Sequence, residues 1–322
     1  MRTAKLRFVA FAAAVALFAA VPVFSQGDFN QGQGKAVVTV MSTEKGATPP
    51  SVSANQLALK INGKPTNITS WKRLHNDNAP IQLVVMIDDG ASSSVATQLP
   101  EISQFIKALP SSAQVAVAYM DNGRAQLAGP LSTDHDAVAR ELRLPNGMPG
   151  ISGSPYFCLS DLAHHWPSHD STARRVVVMV TNGIDYYEVR YNPDDPYLQA
   201  AIHDALRSKI AVYSIYWGSG NYLSGTEYGA SDGQNLLAQL TQATGGYSYW
   251  QGMGNPVSFQ PYLKDLGRRL DHQYEMGFTV PLRHGPGVHN LKLQAKVASA
   301  KVTAPQRVYI GHPAMAGPVG GE

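Results

Sequence analysis

Two patterns of apolar residues alternate along the middle of the chain. Residues 81–87 (IQLVVMI) are largely apolar without a helical or alternating period, which is typical of a strand buried on both faces of a mostly parallel sheet. A helix is predicted next, from apolar residues spaced three or four apart at Val95, Leu99, Ile102, Ile106 and Leu109. The same alternation continues to residue 272. Residues 80–272 are therefore predicted to form an α/β domain with helices on both faces of the sheet.

The predicted elements of this domain follow one another with short connections. Further strands are predicted at residues 114–121, 125–128, 175–181, 210–216 and 246–250. Helices are predicted at residues 133–142, 155–166, 196–209, 232–244 and 256–271. The turn at residues 121–124 (DNGR) indicates that the strand at 125–128 returns antiparallel beside its predecessor.

Patterns typical of strands alone flank the domain on both sides. Residues 36–72 contain a β-branched run and a hairpin around the turn Asn62-Gly63-Lys64, and residues 273–311 contain three more strand patterns. We expect these segments to pair into one small β unit built from both chain ends. Residues 26–35 are predicted to be a flexible lead-in and residues 312–322 a disordered tail.

The first 25 residues have the pattern of a secretory signal peptide. Arg2, Lys5 and Arg7 precede an apolar run over residues 8–21, and small residues lead up to a cleavage position near Ser25. The expected location is periplasmic or extracellular, with no integral membrane segment after cleavage. A retained membrane anchor is the alternative, although the run is short for a span.

Cleavage would change the charge balance. The chain has 26 basic and 23 acidic residues, and three basic residues but no acidic ones belong to the signal. The mature chain is then formally neutral, so its composition predicts neither a nucleic-acid nor an anionic-lipid partner.

Polar residues follow the strand at 81–87 directly. Asp88 and Asp89 are succeeded by Gly90 and, after one alanine, by three serines. Open α/β sheets bind ligands at the carboxyl ends of their strands. The sequence therefore predicts that the functional edge of the domain lies here.

The sequence also resembles a known family. The α/β part is similar to a von Willebrand factor A domain, and residues 35–311 resemble the secreted bacterial group called VWFA-related Acidobacterial domain proteins. The flanking segments VVTVM (37–41) and YEMGFTV (274–280) and the TGG at 244–246 carry this likeness. It implies the strand order 3-2-1-4-5-6, counted within the domain, with an antiparallel edge strand.

The resemblance also implies a metal-ion-dependent adhesion site, in which Asp-x-Ser-x-Ser, a Thr and a second Asp bind a divalent cation that a partner's acidic group completes. Asp88 and Ser92 match this pattern, and Ser154 takes the place of the Thr. Gly90 and Asn182 stand where a Ser and an Asp are expected. The implied ligands Asp88, Ser92, Ser154 and Asn182 would bind Mg²⁺, Mn²⁺ or Ca²⁺ weakly. The alternative is a degenerate turn whose side chains cap helix starts.

Two long loops are predicted to border this site, over residues 183–196 and 218–233. They are rich in tyrosine and small residues, a composition of binding surfaces. The expected contacts with a partner protein are Asp89, Gly90, Asp185, Tyr186, Tyr187, Trp217 and Tyr222. The alternative is that these residues only solvate long loops.

No catalytic motif stands out. The sequence has no GxSxG elbow, and the single cysteine, Cys158, lies in a helix pattern without a motif and excludes an internal disulfide. We expect a secreted, non-enzymatic binding or adhesion protein. The alternatives are a hydrolase or metal enzyme using Ser154 with His164 or His165, and a structural envelope protein.

Overall fold

The computed structural model describes residues 31–75, 77–188, 190–218, 229–252, 254–281 and 286–311. The strands are β1 (Gln31–Ser42), β2 (Leu57–Ile61), β3 (Lys64–Thr66), β4 (Ile68–Arg73), β5 (Ile81–Asp88), β6 (Gln114–Asp121), β7 (Arg124–Leu127), β8 (Arg174–Thr181), β9 (Ile210–Tyr216), β10 (Ser248–Tyr249), β11 (Gln273–Pro281), β12 (Gly287–Ala295), β13 (Ala300–Thr303) and β14 (Arg307–Ile310). The helices are α1 (Leu99–Lys107), α2 (His135–Arg140), α3 (Pro155–His164), α4 (Pro196–Arg207), α5 (Ala230–Thr244) and α6 (Gln260–Asp271).

The central sheet has six strands in the order β10-β9-β8-β5-β6-β7. All neighbours run parallel except β7, which returns antiparallel beside β6. Counted from β5 as the first strand, this is the order 3-2-1-4-5-6 that the resemblance implies. The predicted α/β fold is therefore confirmed.

Strand β5 lies at the centre, and all eight of its residues are buried. One face of the sheet packs on α1, α2 and α6 through residues such as Ile106, Val138 and Leu266. The other face packs on α3, α4 and α5 through residues such as Leu159 and Leu240. Burial on both faces explains why the sequence of β5 shows no alternation.

The two chain ends together form the β unit, which has two four-stranded sheets. Their orders are β13-β1-β11-β4 and β14-β12-β2-β3. Pairing of β1 with β11 and of β2 with β12 joins the N-terminal to the C-terminal segment. The predicted β unit from both chain ends is thus observed, with a core that includes Val38, Ile61, Phe278 and Leu291.

Strand β1 begins earlier than the sequence suggested. Residues 31–35, expected in a flexible lead-in, pair with residues 277–281 of β11. Gly34 faces inward, and a side chain there would collide with the ring of Phe278. The glycines of this segment therefore reflect close packing of the backbone against a ring.

The predicted hairpin also divides between the two sheets. Strand β3 pairs with β2 for only three residues, and the chain then crosses to β4, which pairs with β11 in the other sheet. Trp71 of β4 stacks on Tyr274 with ring centroids 4.8 Å apart. That aromatic contact favours pairing of β4 with β11.

Capping residues account for two helix limits that differ from the predicted ones. Helix α2 begins after Asp134, whose side chain accepts a hydrogen bond from Ala137 N. Helix α6 begins after Phe259, with the carboxylate of Glu101 accepting from Gln260 N at 2.7 Å. Both carboxylates satisfy backbone donors that a helix start leaves free.

Arg174 joins the β unit to the α/β domain where the chain crosses between them. This buried side chain donates to Ala79 O at 2.9 Å, to Leu270 O at 2.7 Å and to Gln273 Oε1 at 2.8 Å. Ala79 precedes the domain, whereas Leu270 and Gln273 flank its exit. One guanidinium group therefore holds both crossings at the amino end of β5.

Candidate partner-binding site

Asp88 ends β5 and is buried, with 3% of its surface exposed. Its Oδ1 accepts from Gly90 N and its Oδ2 from Thr181 Oγ1, both at 2.9 Å. Burial raises the pKa of this carboxyl group above its usual value, and the two hydrogen bonds oppose that shift. The hydroxyl of Ser152 lies close enough to lower the same pKa, but its Oγ forms no hydrogen bond within the described residues.

Asp89 is equally buried and holds a loop over the sheet edge. Arg143 donates from Nη1 to Oδ1 at 2.6 Å and from Nη2 to Oδ2 at 3.1 Å. Asn146 donates to the same carboxylate from its backbone and its side chain, each at 3.0 Å. The guanidinium also lies 3.7 Å from the ring centroid of Tyr119. Asp89, predicted as a partner contact, thus lies beneath the surface and positions residues 143–150.

Gly90 lies under that loop. A Cβ at this position would lie 2.9 Å from Met148 O and 3.3 Å from Gly150 N, closer than side chains normally come to backbone atoms. The loop therefore occupies the space where the family pattern places a serine. A serine at position 90 would therefore collide with this loop unless the loop moved.

Ser154 and Asp185 form a buried pair. Ser154 Oγ donates to Asp185 Oδ2 at 2.8 Å, and the same oxygen caps α3 by accepting from Phe157 N at 3.4 Å. Tyr187 N donates to Asp185 Oδ1 at 2.9 Å. Burial raises the pKa of Asp185 to about 6, against the lowering effect of these hydrogen bonds.

Asn182 follows β8 and organises the next turn. Its Oδ1 accepts from Ile184 N at 2.9 Å, and its Nδ2 donates to the hydroxyl of Tyr186 at 3.1 Å. Ile184 and Tyr186 both belong to the segment that leaves the sheet edge after β8. The side chain thus fixes the start of the tyrosine-containing loop.

Ser92, which follows β5, and Trp217, which follows β9, meet at the carboxyl edge of the sheet. Trp217 Nε1 donates to Ser92 Oγ at 3.4 Å, and Ser92 Oγ lies 2.6 Å from Ser94 Oγ. Trp217 is buried and packs edge-on against Phe259. Trp217 is therefore a core residue next to the site rather than part of its open surface.

Tyr186 and Tyr187 pack on glycines of the opposite loop. A Cβ at Gly150 would lie 3.3 Å from the Tyr186 ring, and one at Gly153 would lie 2.6 Å from the Tyr187 hydroxyl. Tyr186 N also donates to Gly153 O at 2.8 Å. Residues 143–153 and 183–188 thus form one interlocked surface, which we call the rim. Tyr222 lies outside the described residues.

Two apolar residues of the rim were missed by sequence reasoning. Leu144 and Met148 are 55% and 64% exposed, and Tyr187, which was predicted, is 50% exposed. They lie in a segment rich in Gly and Pro, to which no element was assigned. The sequence signal that could have indicated them was the presence of large apolar side chains in a segment with no helix or strand periodicity.

The four implied metal ligands do not fit a cation in the arrangement described. Both oxygens of Asp88 are engaged by protein donors, Ser154 Oγ donates to Asp185, and Ser92 contacts Ser94 and Trp217. Within the described residues there is no group of three or more His, Cys, Asp or Glu suited to a metal ion. A bound cation would have to displace these hydrogen bonds, and metal binding stays a prediction.

Ser154 and the two histidines of the hydrolase alternative lie apart. Ser154 caps the start of α3, whereas His164 ends it and His165 follows, about 15 Å away along the helix axis. His164 and His165 lie 3.3 Å and 3.2 Å from the carboxylates of Asp204 and Asp161. Cys158 is buried in α3, and burial raises the pKa of its thiol. The geometry assembles no Ser–His pair here.

Comparison with known proteins gives structural likeness only. No protein-family model matches the sequence, and no curated protein matches it. An aerotolerance-related membrane protein from Bacteroides fragilis is 12% identical, with a TM-score of 0.43, covering 59% of this chain and 98% of that chain. The pilus adhesin SpaC from Lactobacillus rhamnosus GG is 10% identical, with a TM-score of 0.43, covering 84% and 48%. The VWA domain of SpRpn10 is 13% identical, with a TM-score of 0.35, covering 58% and 93%.

This chain therefore spans about half the length of the SpaC chain. The α/β fold of the von Willebrand A type rests on the strand order and directions given above. In the part of the chain that the structure describes, no helix is long and apolar enough to cross a membrane.

Proposed function

We propose that this chain is an exported, non-enzymatic binding protein that recognises a protein partner through the rim, with a metal ion optional. We also propose that the chain is related to the VWFA-related Acidobacterial domain proteins. Signal cleavage near Ser25 and release to the periplasm or the exterior are part of it as well.

The observation that carries the proposal is the exposure of apolar side chains on the rim. Leu144, Met148 and Tyr187 are each at least half exposed. Large apolar side chains are usually buried, and exposed patches of them mark interaction sites. Methionine and tyrosine are enriched at protein interfaces. The rim thus offers apolar contact area at the sheet edge where α/β folds place their ligands.

The rim is also held in shape before any partner arrives. The Asp89–Arg143 ion pair fixes one loop, and the hydrogen bond from Asn182 to Tyr186 fixes the other. The two loops contact each other where Tyr186 lies on Gly150. A surface ordered in advance loses less conformational entropy on binding.

A capture experiment tests the proposal. The mature chain is immobilised and exposed to secreted and envelope fractions, with and without chelator, beside Leu144→Ser/Met148→Ser. Leu127→Ser is the matched control, because Leu127 is also an exposed apolar residue but lies on β7. We expect a protein retained by wild type and control and lost with the double variant. Equal retention by all three would refute recognition through the rim.

A further inference from the structure

The charges of the chain are divided between its two structural units. Residues 31–75 and 273–311, the β unit, contain eleven lysines and arginines and two glutamates, a formal excess of nine positive charges. Residues 80–272, the α/β domain, contain twelve lysines and arginines and eighteen carboxylates, an excess of six negative charges. The neutral sum of the mature sequence thus conceals a basic unit attached to an acidic one.

Most of the described cations of the β unit are exposed and form no ion pair with a described carboxylate. Among the described residues, Lys35 is the one that forms an ion pair, with Glu275 at 3.0 Å. Arg307 donates to the neutral Gln199 at 2.6 Å. The other described cations of the unit are exposed and form no ion pair with described residues: Lys45, Lys60, Lys64, Lys72, Arg73, Lys292, Lys296 and Lys301.

Two of these lysines face each other directly. Lys60 of β2 and Lys292 of β12 are Cα partners across an antiparallel pair. Their neighbours Ile61 and Leu291 are buried in the unit's core, whereas both lysines are exposed, so both side chains project from the outer face. Like charges directly opposite each other destabilise a sheet. An external anion would turn this repulsion into a favourable interaction.

We propose that the outer face of the sheet β14-β12-β2-β3 binds a surface of anionic lipid headgroups, with Lys60 and Lys292 at the centre of contact. Lys60 and Lys292 present two adjacent cations on this face to a flat surface at once. Lysines close to an anionic bilayer each add to binding without needing a specific pocket. The expected export of the chain would bring this face to a membrane surface.

The same observations favour lipid over nucleic acid. The described residues of the β unit include no exposed large apolar or aromatic side chain, and single-stranded nucleic acids are bound mainly by stacking on such rings. Of its eleven cations eight are lysines, whereas arginine is preferred for bidentate recognition of phosphates and bases. The lysines thus fit a diffuse anionic surface.

This proposal is independent of the function proposed for the rim. The rim lies at the carboxyl end of β5, and the β unit joins the domain at the amino end, near Ala79 and Gln273. A variant in one surface should leave the other intact.

Sedimentation with vesicles tests the proposal on the mature full-length chain. Vesicles of phosphatidylcholine alone are compared with vesicles that also contain phosphatidylglycerol, at low and high salt. The test variant is Lys60→Gln/Lys292→Gln. The matched control is Arg207→Gln/Lys264→Gln, which removes two exposed cations from the α/β domain instead.

We expect binding to the phosphatidylglycerol vesicles only, and its loss at high salt. Each lysine removed should weaken binding about fivefold, so the double variant should bind about 25-fold more weakly. The control should bind like wild type. Thermal unfolding checks that the test variant is folded. Removing the like-charge pair should leave its melting temperature unchanged or raise it.

Three results would overturn the proposal. One is no binding of wild type to phosphatidylglycerol vesicles at low salt. Another is equal loss of binding in the test and control variants, which would indicate a general charge effect. The third is tighter binding to duplex DNA than to these vesicles at equal phosphate concentration, which would assign the face to nucleic acid.

Discussion

Asp89 and Arg143 form a two-point ion pair across 54 residues of sequence, with the shorter contact at 2.6 Å. The carboxylate is buried, and the guanidinium side chain is 48% exposed. The pair therefore connects the buried end of the central strand to the exposed loop of the rim. Its hydrogen bond to Asp89 raises the pKa of Arg143.

Arg143→Ala should destabilise the protein by about 2 kcal/mol, because Asp89 stays buried with fewer donors. The value lies below that of a fully buried pair, since Arg143 is half exposed and Asn146 still donates to Asp89. Urea unfolding measures the change. Arg140→Ala, at an exposed position on α2, is the control and should change stability by less than about 0.5 kcal/mol. Equal stability of both variants would contradict the role given to the pair.

Asp185 should make stability depend on pH. Its pKa is raised from 3.8 to about 6 in the folded state, so the folded protein retains a proton that the unfolded chain has lost. Stability then falls as pH rises from about 4 to about 6, by roughly 1–3 kcal/mol. Asp185→Asn can accept from Tyr187 N and donate to Ser154 Oγ, and it should remove this contribution.

The measurement is urea unfolding of wild type and Asp185→Asn across this pH range. We expect the advantage of the variant to be largest near neutral pH and to shrink on acidification. Other groups titrate equally in both proteins and cancel in the difference. A stability difference that does not vary with pH would rule out the raised pKa.

The central strand and its polar end were predictable, but the loop that covers them was not. Eight consecutive buried positions produce an apolar run in the sequence, and a short run of this kind is typical of a central strand. The position of residues 143–150, in contrast, depends on the ion pair between Asp89 and Arg143, which no local pattern reveals. Sequence reasoning therefore placed the strand and its polar end correctly and missed the exposed residues Leu144 and Met148 of the covering loop.

The same limit applies at the start of β1. Glycines at positions 32 and 34 look like a flexible segment when read alone. Their role depends on the ring of Phe278, more than 240 residues later in the chain, packing against Gly34. Only the tertiary contact shows that this composition serves packing.

Gly90→Ser, which introduces the serine that the von Willebrand A resemblance implies at this position, should destabilise the protein by about 1–3 kcal/mol. The new Cβ would approach Met148 O to 2.9 Å, and a backbone atom cannot move without shifting the loop. Limited proteolysis should then cut residues 143–150 faster than in wild type. Gly267→Ser is the control, because a Cβ there has nothing within 4 Å. If Gly90→Ser were as stable as wild type and its loop were cut no faster, the loop would accommodate the added side chain without strain.

Metal affinity should depend on the charge at position 182. Wild type should give no saturating heat with Mg²⁺, Mn²⁺ or Ca²⁺ below about 1 mM, because one ligand and one charge of the family pattern are missing. Asn182→Asp keeps the shape and can still accept from Ile184 N, and it should bind at lower concentration. Asp88→Ala in the same background should abolish the heat. Tight binding by wild type would contradict this expectation.

Arg174→Met should loosen the connection between the β unit and the α/β domain. Burial lowers the pKa of Arg174 to about 10, so the side chain remains charged at neutral pH while it holds Ala79 O and Leu270 O. Methionine keeps much of the volume but leaves both carbonyls without these donors, at a cost of roughly 2–4 kcal/mol. Arg175→Met is the control, because the hydrogen bonds of Arg175 to described residues go to Ser168 O and Ser208 O, both within the domain. We expect Arg174→Met to lower the urea midpoint more than the control and to speed proteolysis at both crossings. If the crossings were cut equally in the two variants, Arg174 would be a stabilising core residue and no connector.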